Sequence, residues 1–127
     1  LLITRSDVFS DLEKALEELP AIKKKFWDTV YIPGTTKEIN QSLERAGRVA
    51  DFLEFADIMI RDALAREESC GCHLREESQT EENEAKRDDA NYSHVSIWEH
   101  IGEETPPEMH KEPLTFEFVT PSQRSYK

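Results

Sequence analysis

The segment that most constrains the fold is the stretch from residue 36 to residue 67, which contains no proline and only one glycine. Apolar residues recur through it at spacings of three, four and seven, which predicts a helix with a buried seam. The seam consists of Ile39, Leu43, Ala46, Ala50, Leu53, Ile60 and Leu64. A second apolar stripe beside it predicts contact with more than one neighbour, and its members are Val49, Phe52, Ala56, Met59 and Ala63. At about 1.5 Å rise per residue the helix is about 45 Å long, so we expect it to be the spine of the fold.

The residues before this spine carry their own helix signals. Ser10 and Glu13 have the spacing of a capping box, which predicts a helix start, and a similar box lies at residues 35–38. Pro20 interrupts the apolar pattern, so we expect two short helices, or one kinked helix, up to about Thr29. Packed around the spine, these elements predict a three-helix bundle resembling a spectrin repeat.

Charge separates the two halves of the chain. The 127 residues include 27 acidic and 16 basic side chains, a formal net charge of −11. Residues 1–64 carry 12 acidic and 9 basic groups (net −3), whereas residues 65–127 carry 15 and 7 (net −8). Such a chain would repel nucleic-acid phosphates and anionic lipid headgroups, so we expect no nucleic-acid partner and no direct membrane contact. The mean hydropathy is −0.70 and we find no signal peptide or spanning segment, which predicts a soluble protein.

The second half divides into a loop and a strand-rich region. Residues 69–92 are polar and acidic and lack apolar periodicity, which is typical of a functional or disordered loop. Residues 94–101 and 114–120 are rich in β-branched and aromatic side chains, which predicts a β-hairpin with a long loop and an extended tail. We therefore predict a mainly helical α+β fold with three parts in one domain: a helical bundle (1–68), an acidic loop (69–92), and a hairpin with tail (93–127).

The loop contains the residues that most invite a chemical role. Cys70, Cys72 and His73 have the wrong spacing for haem attachment and supply at most three of the four ligands of a structural zinc site. The simpler interpretation is two reduced thiols in a turn at Gly71. The chain has neither a glycine-rich phosphate loop nor a nucleophile elbow. Its arginine and carboxylate neighbours are more typical of ion pairs than of an acid–base site, so we predict no catalytic, cofactor-binding or metal-binding residue.

Two motifs nevertheless resemble a known family. Residues 68–73 read Glu-Ser-Cys-Gly-Cys-His, Arg75 follows, and residues 87–92 read Arg-Asp-Asp-Ala-Asn-Tyr. This resembles the Glu-Ser-Arg-Gly-Ala-His and Arg-Asp-Asp-x-Asn-Trp signature in the C-terminal helical domain of succinate dehydrogenase and fumarate reductase flavoprotein subunits. The long helix at residues 40–54 and the ending at 123–126 are similar as well. Departures from the signature include cysteine in place of arginine and alanine, and tyrosine in place of tryptophan.

The resemblance implies a fragment of an FAD-dependent oxidoreductase that interconverts succinate and fumarate in the tricarboxylic acid cycle and electron transport. Its partners would be the flavin-binding domain of the same chain and an iron–sulfur subunit, at the cytoplasmic face of the plasma membrane. Because the family's catalytic positions precede this region, we expect the isolated chain to be inactive and to hold no cofactor. The residues it implies for the interdomain face are His73, Arg75, Arg87, Asp88 and Asp89. The alternatives are the corresponding domain of an L-aspartate oxidase and a free-standing interaction module.

Overall fold

A computed structural model describes residues 7–34, 38–102, 105–123 and 125. Its elements are helices α1 (Asp7–Thr29), α2 (Gln41–Ala65) and the four-residue α3 (Asp89–Tyr92), followed by strands β1 (His94–Glu99) and β2 (Glu108–Pro113). The two strands pair antiparallel. A mainly helical chain with one β-hairpin confirms the predicted α+β class. In the described part of the chain, no helix has the length and hydropathy needed to cross a bilayer.

The N-terminal region forms one helix rather than two. α1 begins at Asp7, before the predicted cap at Ser10, and continues through Pro20 to Thr29. Proline cannot donate a backbone hydrogen bond to the preceding turn, but the helix is also held by packing against α2. Leu19, beside the proline, is 5% exposed and is the one buried hydrophobic residue identified among the described residues. With two long helices in the described ranges, the three-helix bundle is not confirmed.

The spine helix begins later than its sequence pattern predicts. α2 starts at Gln41, and Asn40 caps it by accepting hydrogen bonds from the backbone N–H groups of Ser42 (3.0 Å) and Leu43 (3.2 Å). The Asn40 amide also donates to the carbonyl of Pro33 at 2.9 Å. One asparagine therefore joins the interhelical turn to the helix start. Of the predicted capping box at 35–38, residues 35–37 lie outside the described residues.

The hairpin uses a different second strand from the predicted one. β1 pairs with residues 108–113, in a register that places His94 opposite Pro113 and Trp98 opposite Met109. The ladder ends at the His94–Pro113 pair, beyond which one backbone bond follows, from the Leu114 N–H to the Ser93 carbonyl at 3.0 Å. Residues 114–120 consequently lie beyond the sheet, although their pattern is the more strand-like.

The fold leaves much apolar surface exposed. The predicted seam of α2 is half-buried from Ala46 onward, whereas Leu43 is 57% exposed and Ile39 fully exposed. In the second stripe, Phe52 is 64% and Met59 56% exposed, so the predicted second neighbour is not among the described residues. The chain exposes 10379 Å², against about 6,900 Å² for a compact monomer of 14.7 kDa.

Candidate functional site

The site is built around the C-terminal end of α2, where backbone carbonyls have no partner within the helix. Arg75 reaches back to this end, and its Nη1 donates to the carbonyls of Ala63 (2.9 Å) and Arg66 (3.0 Å). Its Nε donates to the Glu77 carboxylate at 2.5 Å. The residue is 1% exposed. A buried arginine therefore fastens the loop to the helix end and balances part of the helix dipole.

His73 contacts the same helix end. Its Nε2 lies 2.9 Å from the Arg66 carbonyl, so Nε2 carries the proton and donates. The backbones of Cys70 and His73 exchange two hydrogen bonds, N–H to O at 2.9 and 3.1 Å, around a tight turn. Gly71 has a φ of 62°, a left-handed conformation that glycine adopts without a steric penalty. The turn thus holds the imidazole against α2.

Ser69 connects the two arms of the loop. It is fully buried, and its hydroxyl donates to the Arg75 carbonyl (3.1 Å) while accepting from the Arg75 N–H (2.8 Å). Its own N–H donates to the carbonyl of Lys86 at 3.1 Å, and the N–H of Lys86 donates to Ser78 at 3.0 Å. These bonds give the loop an internal structure. The sequence alone had not decided whether the loop is ordered.

Glu68 joins the first motif to the second. Its carboxylate is 3% exposed and accepts from Arg66 Nη1 (2.6 Å) and from the backbone N–H of Asp88 (2.8 Å). A buried carboxylate needs such compensation, because its desolvation costs on the order of several kcal/mol. Arg66 also donates to the His94 carbonyl at 3.3 Å and lies over the Tyr92 ring. The glutamate is therefore the junction of helix, loop and hairpin.

The second motif forms a short helix with an exposed charge pair. The Asp88 side chain caps α3, accepting from the backbone and side-chain N–H groups of Asn91 at 3.3 and 2.8 Å. Arg87 forms a short ion pair with Asp89, and this hydrogen bond raises the pKa of the guanidinium. Its Nη1 donates to the Ser122 carbonyl at 3.2 Å, which ties the tail to the motif.

The structure thus brings the five predicted residues into two connected groups. His73 and Arg75 share the Arg66 carbonyl, and residues 87–89 form the cap and ion pair of α3. The sequence prediction of an interdomain face omitted Glu68 and Ser69, which link the groups. Their position in the sequence could have identified them, because they are the first two residues of the motif and follow the spine helix. Both cysteines are free, and no cluster of three or more metal-ligating side chains occurs in the described ranges.

An open cleft of about 870 Å³ lies between α1, α2 and the hairpin loop. Trp27 and Trp98 are among the side chains that line it. Its charged groups bind one another, with Lys23 Nζ 2.7 Å from Glu54 Oε2 and Arg61 Nε 2.9 Å from Asp57 Oδ2. The first pair joins α1 to α2, whereas the second lies within one turn of α2.

Comparison with protein families identifies one match, described as fumarate reductase flavoprotein C-term, which covers residues 4–126. The match includes both motifs, the two long helices and the hairpin. Searches of the curated proteins and of the solved structures returned no match.

Proposed function

The chain belongs to the fumarate reductase flavoprotein C-terminal family, and on that premise we propose that it is the non-catalytic C-terminal module of a succinate dehydrogenase or fumarate reductase flavoprotein subunit. Its role is to pack against the flavin-binding domain and support it. The parent subunit binds FAD and exchanges electrons between the succinate–fumarate couple and an iron–sulfur subunit, at the cytoplasmic face of the membrane. The module itself supplies no group to the reaction.

The observation that carries this proposal is the exposed surface. Large apolar side chains contribute to it on both long helices and beyond the hairpin, among them Trp27 at 63%, Phe52 at 64% and Phe118 at 87%. Exposed large apolar side chains in this number favour a surface that another domain covers.

The motif loop is suited to an interdomain face because the buried side chains of Ser69 and Glu68 bind partners within this chain. The loop is held by three buried residues, Arg75, Ser69 and Glu68. Arg87 and Asp89 remain partly exposed, at 30% and 44% of their side chains. When a partner covers such a pair, charge-assisted hydrogen bonds fix the register between the two surfaces. We assign the supporting role to Arg75 and the contact role to Arg87 and Asp89, with His73 and Asp88 shaping the loop.

The described residues do not fit a flavin dinucleotide. Such a cofactor is bound by a glycine-rich turn between a parallel strand and a helix N-terminus. Here the two strands are antiparallel, and the N-terminus of α2 is closed by the Asn40 side chain. We therefore assign FAD to the parent subunit and derive no step through it in this chain.

The test begins with the coding region upstream of Leu1. We expect several hundred codons that include a strand, a glycine-rich turn and a helix. The intact subunit should then bind FAD and reduce a dye with succinate, whereas the 127-residue chain should bind no FAD and show no dye reduction. Turnover of L-aspartate by the intact subunit, or a start codon adjacent to Leu1, would refute the proposal.

A further inference from the structure

Cys70 and Cys72 lie on either side of Gly71 in the turn that follows α2, and neither thiol has a part in the proposed function. Both are free, and Cys70 is half-buried whereas Cys72 is exposed. A Cβ atom placed on Gly71 would meet no atom of a non-neighbouring residue within 4 Å, so the space beside the turn is open. A small reagent can therefore reach Cys72, with a second thiol two residues away.

The turn also brings the two cysteines within reach of each other. An extended chain advances at most about 3.6 Å per residue, which puts Cα atoms two residues apart at about 7 Å. The two backbone bonds between Cys70 and His73, at 2.9 and 3.1 Å, fold the chain back and shorten this separation. Disulfides join Cα atoms about 4.4–6.8 Å apart. The turn therefore holds Cys70 and Cys72 in the range that a disulfide spans.

Arg87 distinguishes the two thiols, because its guanidinium interacts with Cys70. The pKa of the guanidinium is raised first by its hydrogen bond to Asp89 and further by nearby negative charges, which include Cys70. The Nε of Arg87 is buried and has no hydrogen-bond partner among the described residues. A neighbouring guanidinium favours the thiolate, which is the nucleophilic form of cysteine. Cys70 is therefore suited to attack a disulfide already formed on Cys72.

From these observations we propose that Cys70 and Cys72 form an oxidisable dithiol that reacts with small disulfides. The Cys72 thiolate attacks one sulfur of the reagent, whose S–S bond breaks, and a mixed disulfide and one free thiol result. The Cys70 thiolate then attacks the Cys72 sulfur and expels the second thiol. The two cysteines lose two electrons and two protons, which the reagent gains as two thiols. The reaction uses only residues of this chain, so it does not depend on the proposed function.

The experiment treats the folded 127-residue chain with 2-hydroxyethyl disulfide, an uncharged reagent that the net charge of −11 does not repel. Intact mass spectrometry should show the loss of two hydrogens and no thiol that can be alkylated. Cys70→Ala should stop at a mixed disulfide on Cys72. In Cys72→Ala, the half-buried Cys70 should react several-fold more slowly. In urea, where the turn is lost, the wild-type chain should close its internal disulfide several-fold more slowly.

Arg87→Gln tests the role of the guanidinium in the second step. The mixed disulfide should persist several-fold longer than in the wild type, while the rate of the first attack stays unchanged. Arg87 also donates to the Ser122 carbonyl, so the variant loses a contact to the tail. The matched control is Gln123→Ala, which removes the other tail contact, to the Ala85 carbonyl at 3.1 Å, without removing a charge. This control should resolve its mixed disulfide at the wild-type rate.

Four results would overturn the inference. The first is a wild-type chain that accumulates mixed disulfides or disulfide-linked dimers instead of the internal disulfide. The second is an equal closing rate in the folded and the urea-unfolded chain, which would mean that the turn does not bring the thiols together. The third is an equal reaction rate in Cys70→Ala and Cys72→Ala. The fourth is the same persistence of the mixed disulfide in Arg87→Gln and Gln123→Ala.

Discussion

Replacing Arg75 by methionine tests whether the buried guanidinium holds the motif loop on α2. Methionine retains much of the apolar stem but removes both donors to the carbonyls of Ala63 and Arg66, at 2.9 and 3.0 Å. A hydrogen bond from a charged donor contributes about 1.5–3 kcal/mol. The partner Glu77 has a side chain 29% exposed and regains water, so we assign it no further cost. We expect the free energy of unfolding to fall by about 3–5 kcal/mol.

The assay is urea unfolding of the 127-residue chain, followed by tryptophan fluorescence and far-UV circular dichroism. The matched control is Arg48→Met, which removes an ion pair to Glu44 one turn away on the exposed surface of α2. Because water replaces that contact, the loss of free energy of unfolding in Arg48→Met should lie close to the error of the measurement. If Arg75→Met does not fold, Arg75→Lys tests the same idea, since it keeps the charge and loses the forked geometry.

The reasoning would be refuted if the free energy of unfolding fell no more in Arg75→Met than in Arg48→Met. It would mean that water or another side chain satisfies the α2 carbonyls equally well. An intermediate loss in Arg75→Lys, between wild type and Arg75→Met, is the expected order. Equal losses in the two Arg75 variants would show that the paired geometry, rather than the charge, supplies the stabilisation.

Three further substitutions test other parts of the fold by the same unfolding assay. Ser69→Ala should cost about 1–3 kcal/mol, because it leaves a buried carbonyl and N–H of Arg75 without their partner; Ser42→Ala, at an exposed position, is the control. Asn40→Ala should cost about 0.5–2 kcal/mol through the lost cap of α2, and an unchanged midpoint would count against that cap. Leu19→Ala should cost about 2–5 kcal/mol. Phe52→Ala should cost less, because Phe52 is 64% exposed. An equal loss of free energy of unfolding would show that the exposed stripe of α2 is already packed against other residues.

Sequence patterns predicted the elements that depend on interactions between residues close in the chain. The periodicity that identified α2 is a property of one helix face, and residues 94–99 form the first strand as their composition indicates. The start of α2 was placed too early because the threonine at 35 and the asparagine at 40 both have capping side chains. The second strand was placed at 114–120 because the pattern of one strand does not contain the register of its partner, and β1 pairs with residues 108–113.

The site shows the same division between local and distant information. The resemblance identified His73, Arg75 and residues 87–89 as motif residues, and the structure places them in one connected loop. What the sequence could not provide is the direction of each side chain. The buried position of Arg75 follows from the unsatisfied carbonyls at the end of α2, and the junction role of Glu68 follows from the return of the chain at Asp88. Both depend on contacts between residues distant in the chain.

The spacing of the loop contacts along the chain also implies an order of assembly. The bond from Arg75 to Ala63 closes 12 residues, whereas the bonds from Arg87 to Ser122 and from Ser125 to Glu84 span 35 and 41. The entropy lost on closing a loop grows with its length, and contacts of short range tend to form earlier. We expect the motif loop to close on the end of α2 before the tail is drawn across it. Residues 114–120, which lie between β2 and these tail contacts, would then be fixed last.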